Sequence, residues 1–257
     1  MPEDNETRAA LYEVAGGIAR ITLNRPDKRN ALNDELIAGI KSGLRRAASN
    51  EEVRVVVLTG AGQDFCSGAD LSALQKISES TIAENSADAR SLMELFTLMR
   101  DLSIPVVAAV HGRALAGGCG LASAADVVLA ARSARFGYPE VKIGFVPAMV
   151  MAILKRNVSE KQAFELLTCG GEITAQRAYE IGLVNQVFSD EAFASDVQAY
   201  VSVFEKMSKS AVALSKKLLY QIDGMAFREA IEAGVDVNVI ARLSKDCQEG
   251  IAKFLKK

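Results

Sequence analysis

Seventeen residues from Val110 to Asp126, VHGRALAGGCGLASAAD, include ten glycines, alanines or serines, and they follow directly on the apolar run PVVAA. Side chains this small let something else come within contact distance, either another stretch of backbone or a ligand. A chain that places such a segment after a buried strand must therefore bring a second element or a bound molecule against it. That requirement organises the rest of the reading.

The strands and helices around the segment are legible from periodicity. ALYEV and IARITLN, separated by glycines, read as two strands joined by a turn. NDELIAGIKSGLRRAASN carries Leu36, Ile37, Ile40 and Leu44 at helical spacing, with Asn33 as its cap. VRVVVLTG is an unbroken apolar run, as expected of a strand covered on both faces. ENSADARSLMELFTLMRDL predicts a helix, and PVVAAVHG and DVVLAA predict further strands. Strand and helix alternating in this way give an α/β core with right-handed crossovers. Beyond about Pro147 the pattern turns to short helices, AMVMAILKR, EKQAFELLT and TAQRAYEIG, and after Ser189 it is helical to the end. With no low-complexity linker, residues 1–190 read as the core and 191–257 as a helical extension of the same unit. That extension must bury its apolar stripe on the core, on a neighbouring subunit, or on both.

Several function classes are set aside by composition. The net charge of −2 gives no global positive field to gather nucleic acid or an anionic membrane. No apolar run reaches membrane-spanning length. The segment MPEDNETR is polar and acidic, unlike a signal or transit peptide, and a cytoplasmic location is expected. The four cysteines, Cys66, Cys119, Cys169 and Cys247, lack C-x-x-C spacing and stand beside a single histidine, so free thiols are expected and a zinc site is not. A Ser-His-Asp machine could run only through His111. That residue ends a buried strand and reads as a packed, hydrogen-bonded histidine.

Two segments echo each other: VVVLTGAGQDFCSGADL and VVAAVHGRALAGGCGLA. Each is a buried strand ended by glycine, Gly60 or Gly112, followed by a loop and a small-residue turn toward a helix. If the strands are parallel neighbours, both turns lie at their C-terminal ends, where α/β sheets place ligands. Tight packing of the glycines is the first reading. A pair of backbone N–H groups aimed at one point, an oxyanion hole, is the second. A phosphate cradle lacks its glycine and lysine spacing.

The combination NRPDKRNAL (24–32), FCSGADL (65–71), GGCGLASAAD (117–126), FGYPEVKIGFVP (136–147) and LLTCGGEITAQRAYEIGLVNQVF (166–188), in this order, resembles the crotonase superfamily of enoyl-CoA hydratases and isomerases. The resemblance covers nearly the whole chain. It implies a crotonase-like spiral of ββα units with a C-terminal helical extension that assembles homotrimers or dimers of trimers. It implies a coenzyme A thioester as substrate, a thioester enolate as intermediate and no separate cofactor or metal. Carried over by motif position, the oxyanion donors are the backbone N–H groups of Ala69 and Gly117, and the proton-transfer carboxylate is Glu140, which taken alone would read as a surface glutamate. Lys28 or Arg29, beside Arg25, and a lysine near the C-terminus would meet the coenzyme A phosphates. Ala31, Asp70 and Leu71 would flank its pantetheine and adenine, and Ser67, Gly68, Gly118, Gly120 and Tyr138 would line the substrate.

The chain departs from that pattern at two places. Hydratases of the family carry a second glutamate directly after GGC, where this chain has Gly120. One carboxylate suffices to move a proton between two carbons, as in the family's isomerases, so hydration or double-bond isomerisation leads. A decarboxylase or carbon–carbon lyase on the same donors follows, then a non-catalytic coenzyme A-binding assembly protein. Tyr138, Arg113 or Ser123 could stand in for the missing group, and Gly120→Glu is expected to restore a carboxylate opposite Glu140. The second departure is Ala148, Met149, Val150 and Met151 in place of a glycine-rich turn. It reads as altered core packing ahead of a reshaped acyl pocket.

Overall fold

The computed structural model describes residues 9–70, 72, 75 and 79–256. Strands β1 (Ala10–Ala15) and β2 (Ile18–Leu23) form an antiparallel hairpin across Gly16 and Gly17. From β2 onward the main sheet is parallel: β3 (Val55–Gly60), β4 (Val106–Val110), β6 (Val127–Ala131) and β9 (Gln186–Phe188) follow in the order β1-β2-β3-β4-β6-β9. The register sets Ile18 against Val55, Val57 against Val107 and Val110 against Ala130.

Alternate residues of these strands point to opposite faces, and both faces are covered. Val56, Leu58, Val106, Ala108 and Val110 enter the main core with Leu36, Ile40 and Leu44 of helix α1 (Asp34–Ser49) and Leu95 and Met99 of helix α2 (Ile82–Asp101). The Asn33 side chain accepts the Leu36 N–H at 3.0 Å, which fixes the start of α1. Val55, Val57, Val107, Ala109 and Leu129 face the other way, onto Val197 and Val201 of the helix Phe193–Val201. The first helix of the expected extension thus closes the second face of the sheet. Fully burying a valine or leucine contributes about 1.5–3 kcal/mol, so the uninterrupted apolar runs follow directly from two-sided cover.

A second layer holds the winding. β2, β3, β4 and β6 each lead into a short extended piece, another such piece precedes β9, and these pieces pair with one another. Leu32 bridges Ala69, Cys66 bridges Ala114, and β5 (Arg113–Leu115) pairs in parallel with β7 (Arg135–Gly137), which is antiparallel to β8 (Glu172–Thr174). Every turn of chain adds one strand to the large sheet and one to the small one, which is the spiral expected from the motifs. β5, β7, β8 and β9 have three residues each, too few for an alternation pattern to show in the sequence.

Candidate active site

The echo between the two glycine-ended strands is a structural one. β3 and β4 are parallel neighbours, and the loops that leave them run side by side in the second layer. Cys66 N–H donates to Arg113 C=O at 3.0 Å, and Leu115 N–H donates to Cys66 C=O at 2.9 Å. On the other side, Leu32 N–H donates to Gly68 C=O at 2.7 Å and Asp70 N–H to Leu32 C=O at 3.0 Å. A parallel bridge with that pattern turns the N–H of Ala69 away from Leu32, toward the side on which Leu115 and Gly117 lie. Gly117 opens the helix Gly117–Ser123, where the first N–H groups have no partner within the helix. Among the described residues, neither the Ala69 N–H nor the Gly117 N–H donates a hydrogen bond. Ala69 is exposed and Gly117 half-buried, so solvent reaches this corner.

The small residues around Gly117 divide their work. A Cβ on Gly118 would run into the Cys66 carbonyl and stand 2.7 Å from the Cys66 Cβ and Sγ. A Cβ on Gly120 would overlap the Val150 Cγ1 and stand 3.2 Å from the Val150 Cβ and 3.4 Å from the Phe96 Cζ. What comes close at Gly118 and Gly120 is protein. At Gly117 the Cβ direction meets only the Leu32 Cδ1, at 3.2 Å. Ala116, the residue between the strand and the helix, has φ 51 and ψ −127. Side-chain-bearing residues avoid that backbone region, at a cost of about 1–3 kcal/mol.

Glu140 follows Pro139 in a 3₁₀ turn over Pro139–Ile143 that Gly144 ends at φ 75. The residue is partly buried, and its Oε2 is buried without a hydrogen-bond partner among the described residues. Burial pushes its carboxyl above the ordinary value of 4.5, with its own backbone N–H opposing. Burial is also the main reason why the thiol of Cys119 is pushed up to about 11 and the Tyr138 phenol well above its usual value, and the Glu140 charge adds to both. Both groups therefore lie within electrostatic reach of the carboxylate, and Cys119 stays a neutral thiol. Burial likewise raises Cys66, to about 12.

The candidate stand-ins for a second carboxylate are engaged elsewhere. Tyr138 is fully buried, with its hydroxyl 3.2 Å from that of Ser123, which in turn donates to the Cys119 C=O at 2.7 Å. The Arg113 side chain pairs with Glu172 at 3.6 Å. The expectation that Gly120→Glu would seat a carboxylate opposite Glu140 is corrected: Val150 and Phe96 occupy the direction its Cβ would take. The two departures of the sequence, at 120 and at 148–151, are one packing event between the helices Gly117–Ser123 and Ala148–Asn157.

The remaining expected positions that are described range from exposed to buried. Lys28 and Arg29 are exposed, and neither forms an ion pair among the described residues. Ala31 is buried with its C=O held by the Arg25 guanidinium, which also pairs with Asp70 at 2.6 Å. Ser67 N–H donates to Arg29 C=O at 3.0 Å, and Gly68, at φ 98, packs against Ala116. Leu71 lies outside the described residues. His111 is half-buried and bonds through Nε2 to the Gly62 C=O at 3.0 Å, as expected of a packed histidine. Sequence reasoning missed Asn30, fully buried at φ 53, which binds the carbonyls of Ala61 and Asp64 at 2.8 and 2.7 Å and pins the basic segment to the loop after β3. Asparagine's tolerance of the left-handed region was the available signal.

Comparison with known proteins agrees with this fold. The family model for enoyl-CoA hydratase/isomerase matches residues 13–257. A provisionally named enoyl-CoA hydratase of Thermus thermophilus is 38% identical over 94% of this chain and 96% of its own. The 2,3-dehydroadipyl-CoA hydratase of Escherichia coli K12 is 34% identical over 92% and 91%. The crystal structure of an enoyl-CoA hydratase from Mycobacterium smegmatis superimposes with a TM-score of 0.92 at 30% identity, covering 96% of each chain. No helix among the described residues is long and apolar enough to cross a membrane. The chain is a crotonase-type acyl-CoA enzyme and belongs to the enoyl-CoA hydratase/isomerase family.

Proposed function

We propose that this enzyme moves a proton on a 2- or 3-enoyl thioester of coenzyme A, with Glu140 as its single proton-transfer carboxylate. The observation that carries the reading is the Glu140 Oε2, buried, unpartnered and made more basic by desolvation. A carboxylate so placed can take a proton from the carbon beside the thioester. The electron pair then moves onto the carbonyl oxygen, where the N–H groups of Ala69 and Gly117 receive it. Return of the same proton to the far end of the dienolate shifts the double bond, with no net change in atoms. One carboxylate is enough for this shuttle, and the packing of Val150 over Gly120 supports it ahead of two-carboxylate hydration. Hydration is the second reading, favoured by the names of the relatives. Coenzyme A enters as part of the substrate, and the chemistry calls for no cofactor. Exposed Lys28 and Arg29 suit its phosphates.

The same proposal covers assembly and place. The helix Phe227–Leu243 exposes Phe227, Ile231, Val235, Val239 and Leu243 on one stripe. A stripe of this kind suits burial between subunits in a trimer or a dimer of trimers. Four free cysteines fit a reducing compartment, the cytoplasm.

Mass spectrometry of products from matched 2- and 3-enoyl thioesters tests the reaction. With the isomers separated by chromatography before the mass measurement, conversion of one into the other at constant mass is the expected result, and gain of one water instead establishes hydration. Loss of carbon dioxide or of an acyl fragment points to the lyase readings. Binding of coenzyme A with no turnover on any thioester would leave only a binding protein. Light scattering tests assembly, and a stable monomer or dimer at micromolar concentration overturns the trimer.

A further inference from the structure

We propose that Ala116 is a positioning residue whose methyl group and strained backbone aim both oxyanion donors; the inference rests on the reading of Ala69 and Gly117 above. The direction of the Gly117 N–H is set by the peptide plane that Ala116 begins, and hence by its ψ of −127. The direction of the Ala69 N–H is set in the same way by Gly68. These two residues are in contact: a Cβ added to Gly68 would stand 2.7 Å from the Ala116 Cβ. The alanine methyl therefore packs as a wedge at the Gly68 Cα, from which the peptide that carries the first donor leaves, while its own carbonyl carbon carries the second.

Two hydrogen bonds hold the wedge in a conformation that alanine avoids. Its N–H donates to the Gly137 C=O at 2.8 Å, and its C=O accepts the Gly120 N–H at 3.0 Å. On the loop side the Leu115 C=O stands 3.1 Å from the Cβ direction of Gly68. The other described non-glycine residues with positive φ are Arg29 and Asn30. Arg29, at φ 49 and ψ 38, is in the ordinary left-handed well. Ala116 is not, and glycine would adopt its conformation without strain. An alanine here fixes what a glycine would leave free.

Ala116→Gly separates positioning from mere tolerance, because the two effects have opposite signs. Releasing the strain should raise the melting temperature by a few degrees. Loosening both donors should lower kcat by about tenfold, less than the 10²–10³ typical of losing a donor outright, with KM little changed. A direct readout is the carbonyl stretch of butyryl-coenzyme A, a saturated thioester, bound to the enzyme with its carbonyl isotope-labelled. In the wild type the stretch should move to lower frequency on binding, and in Ala116→Gly the shift should shrink. A variant with unchanged kcat and an unchanged carbonyl shift overturns the proposal, whichever way its melting temperature moves. A wild type that binds the thioester without shifting its carbonyl overturns the oxyanion reading itself, and with it any need for a wedge.

Discussion

Val150 stands where a side chain on Gly120 would have to go. A Cβ there would overlap its Cγ1 and lie 3.4 Å from Phe96 Cζ, so each residue is the size it is because of the other. Gly120→Ala should destabilise by about 1–3 kcal/mol through overpacking. Val150→Ala, which deletes the overlapping methyl, should cost a comparable amount alone by leaving a gap. The double variant should cost less than the sum, with a coupling of about 0.5–3 kcal/mol. Denaturant melts of the four proteins measure it. Additive losses would mean that the two positions are independent.

Glu140→Gln keeps the shape of the side chain and removes the base. Turnover should fall by roughly 10²–10⁴ while binding of the thioester survives. In the wild type the acid limb of kcat should lie above 4.5, because burial raises this carboxyl and the reaction needs it ionised. The stability effect has a fixed sign. A carboxyl whose folded pKa is raised favours the fold while protonated and loses that contribution as pH rises through the folded value. The melting temperature of the wild type relative to Glu140→Gln should therefore decline from pH 4 to pH 8, at roughly the scale of one linked proton. An acid limb at or below the ordinary glutamate range would remove the role assigned here.

Asp70 works in the opposite direction. The Arg25 guanidinium at 2.6 Å is the first cause, with the Ser72 N–H, that holds its carboxyl at about 2 instead of 3.8. Its contribution is present above the ordinary value and lost as pH falls toward about 2. Asp70→Asn should cost about 1–3 kcal/mol at pH 7, and the gap to wild type should close as the medium is acidified from pH 4 to pH 2. Thermal melts across that range show it, and a gap independent of pH would assign the effect to packing alone.

The main sheet was legible because VRVVVLTG and PVVAAVHG are covered on both faces, which leaves an unbroken apolar signature. These two strands are parallel neighbours, the condition on which the reading of their matching ends depended. The small second sheet was not legible, since three-residue strands carry no period. At the site, the motif pointed to Glu140 and its proline turn, but the conformation of Ala116 was not legible, because alanine carries no preference that would signal a positive φ. The contact of Gly120 with Val150 joins residues that are distant in sequence, so each appeared as a separate departure. Arg113, Ser123 and Tyr138 were open candidates for the missing carboxylate, and only their partners show that they are occupied.

Lys216 is the clearest case of a residue whose role sequence hides, since it sits beside Lys217 in SKKLL and only one of the two is buried. From the helix Lys209–Gln221 its Nζ donates to the carbonyls of Met99 and Ile104 at 2.9 and 3.0 Å and to Asp126 at 2.7 Å. Asp126 completes its own set with the Val106 N–H at 2.6 Å and the Tyr220 hydroxyl at 2.5 Å. One ammonium therefore ties this helix to the end of α2 and to the starts of β4 and β6. Lys216→Met would leave two carbonyls without their donor and Asp126 without its counter-charge, a loss of about 3–5 kcal/mol for a buried pair broken on one side. Lys217→Met, on the exposed side, should stay within about 0.5 kcal/mol of wild type. Hydrogen exchange should show protection falling in residues 209–221 of the Lys216 variant, while α1 and the central strands change less. If both variants melt together, the clasp does not hold the helix, and the apolar contacts of that helix must.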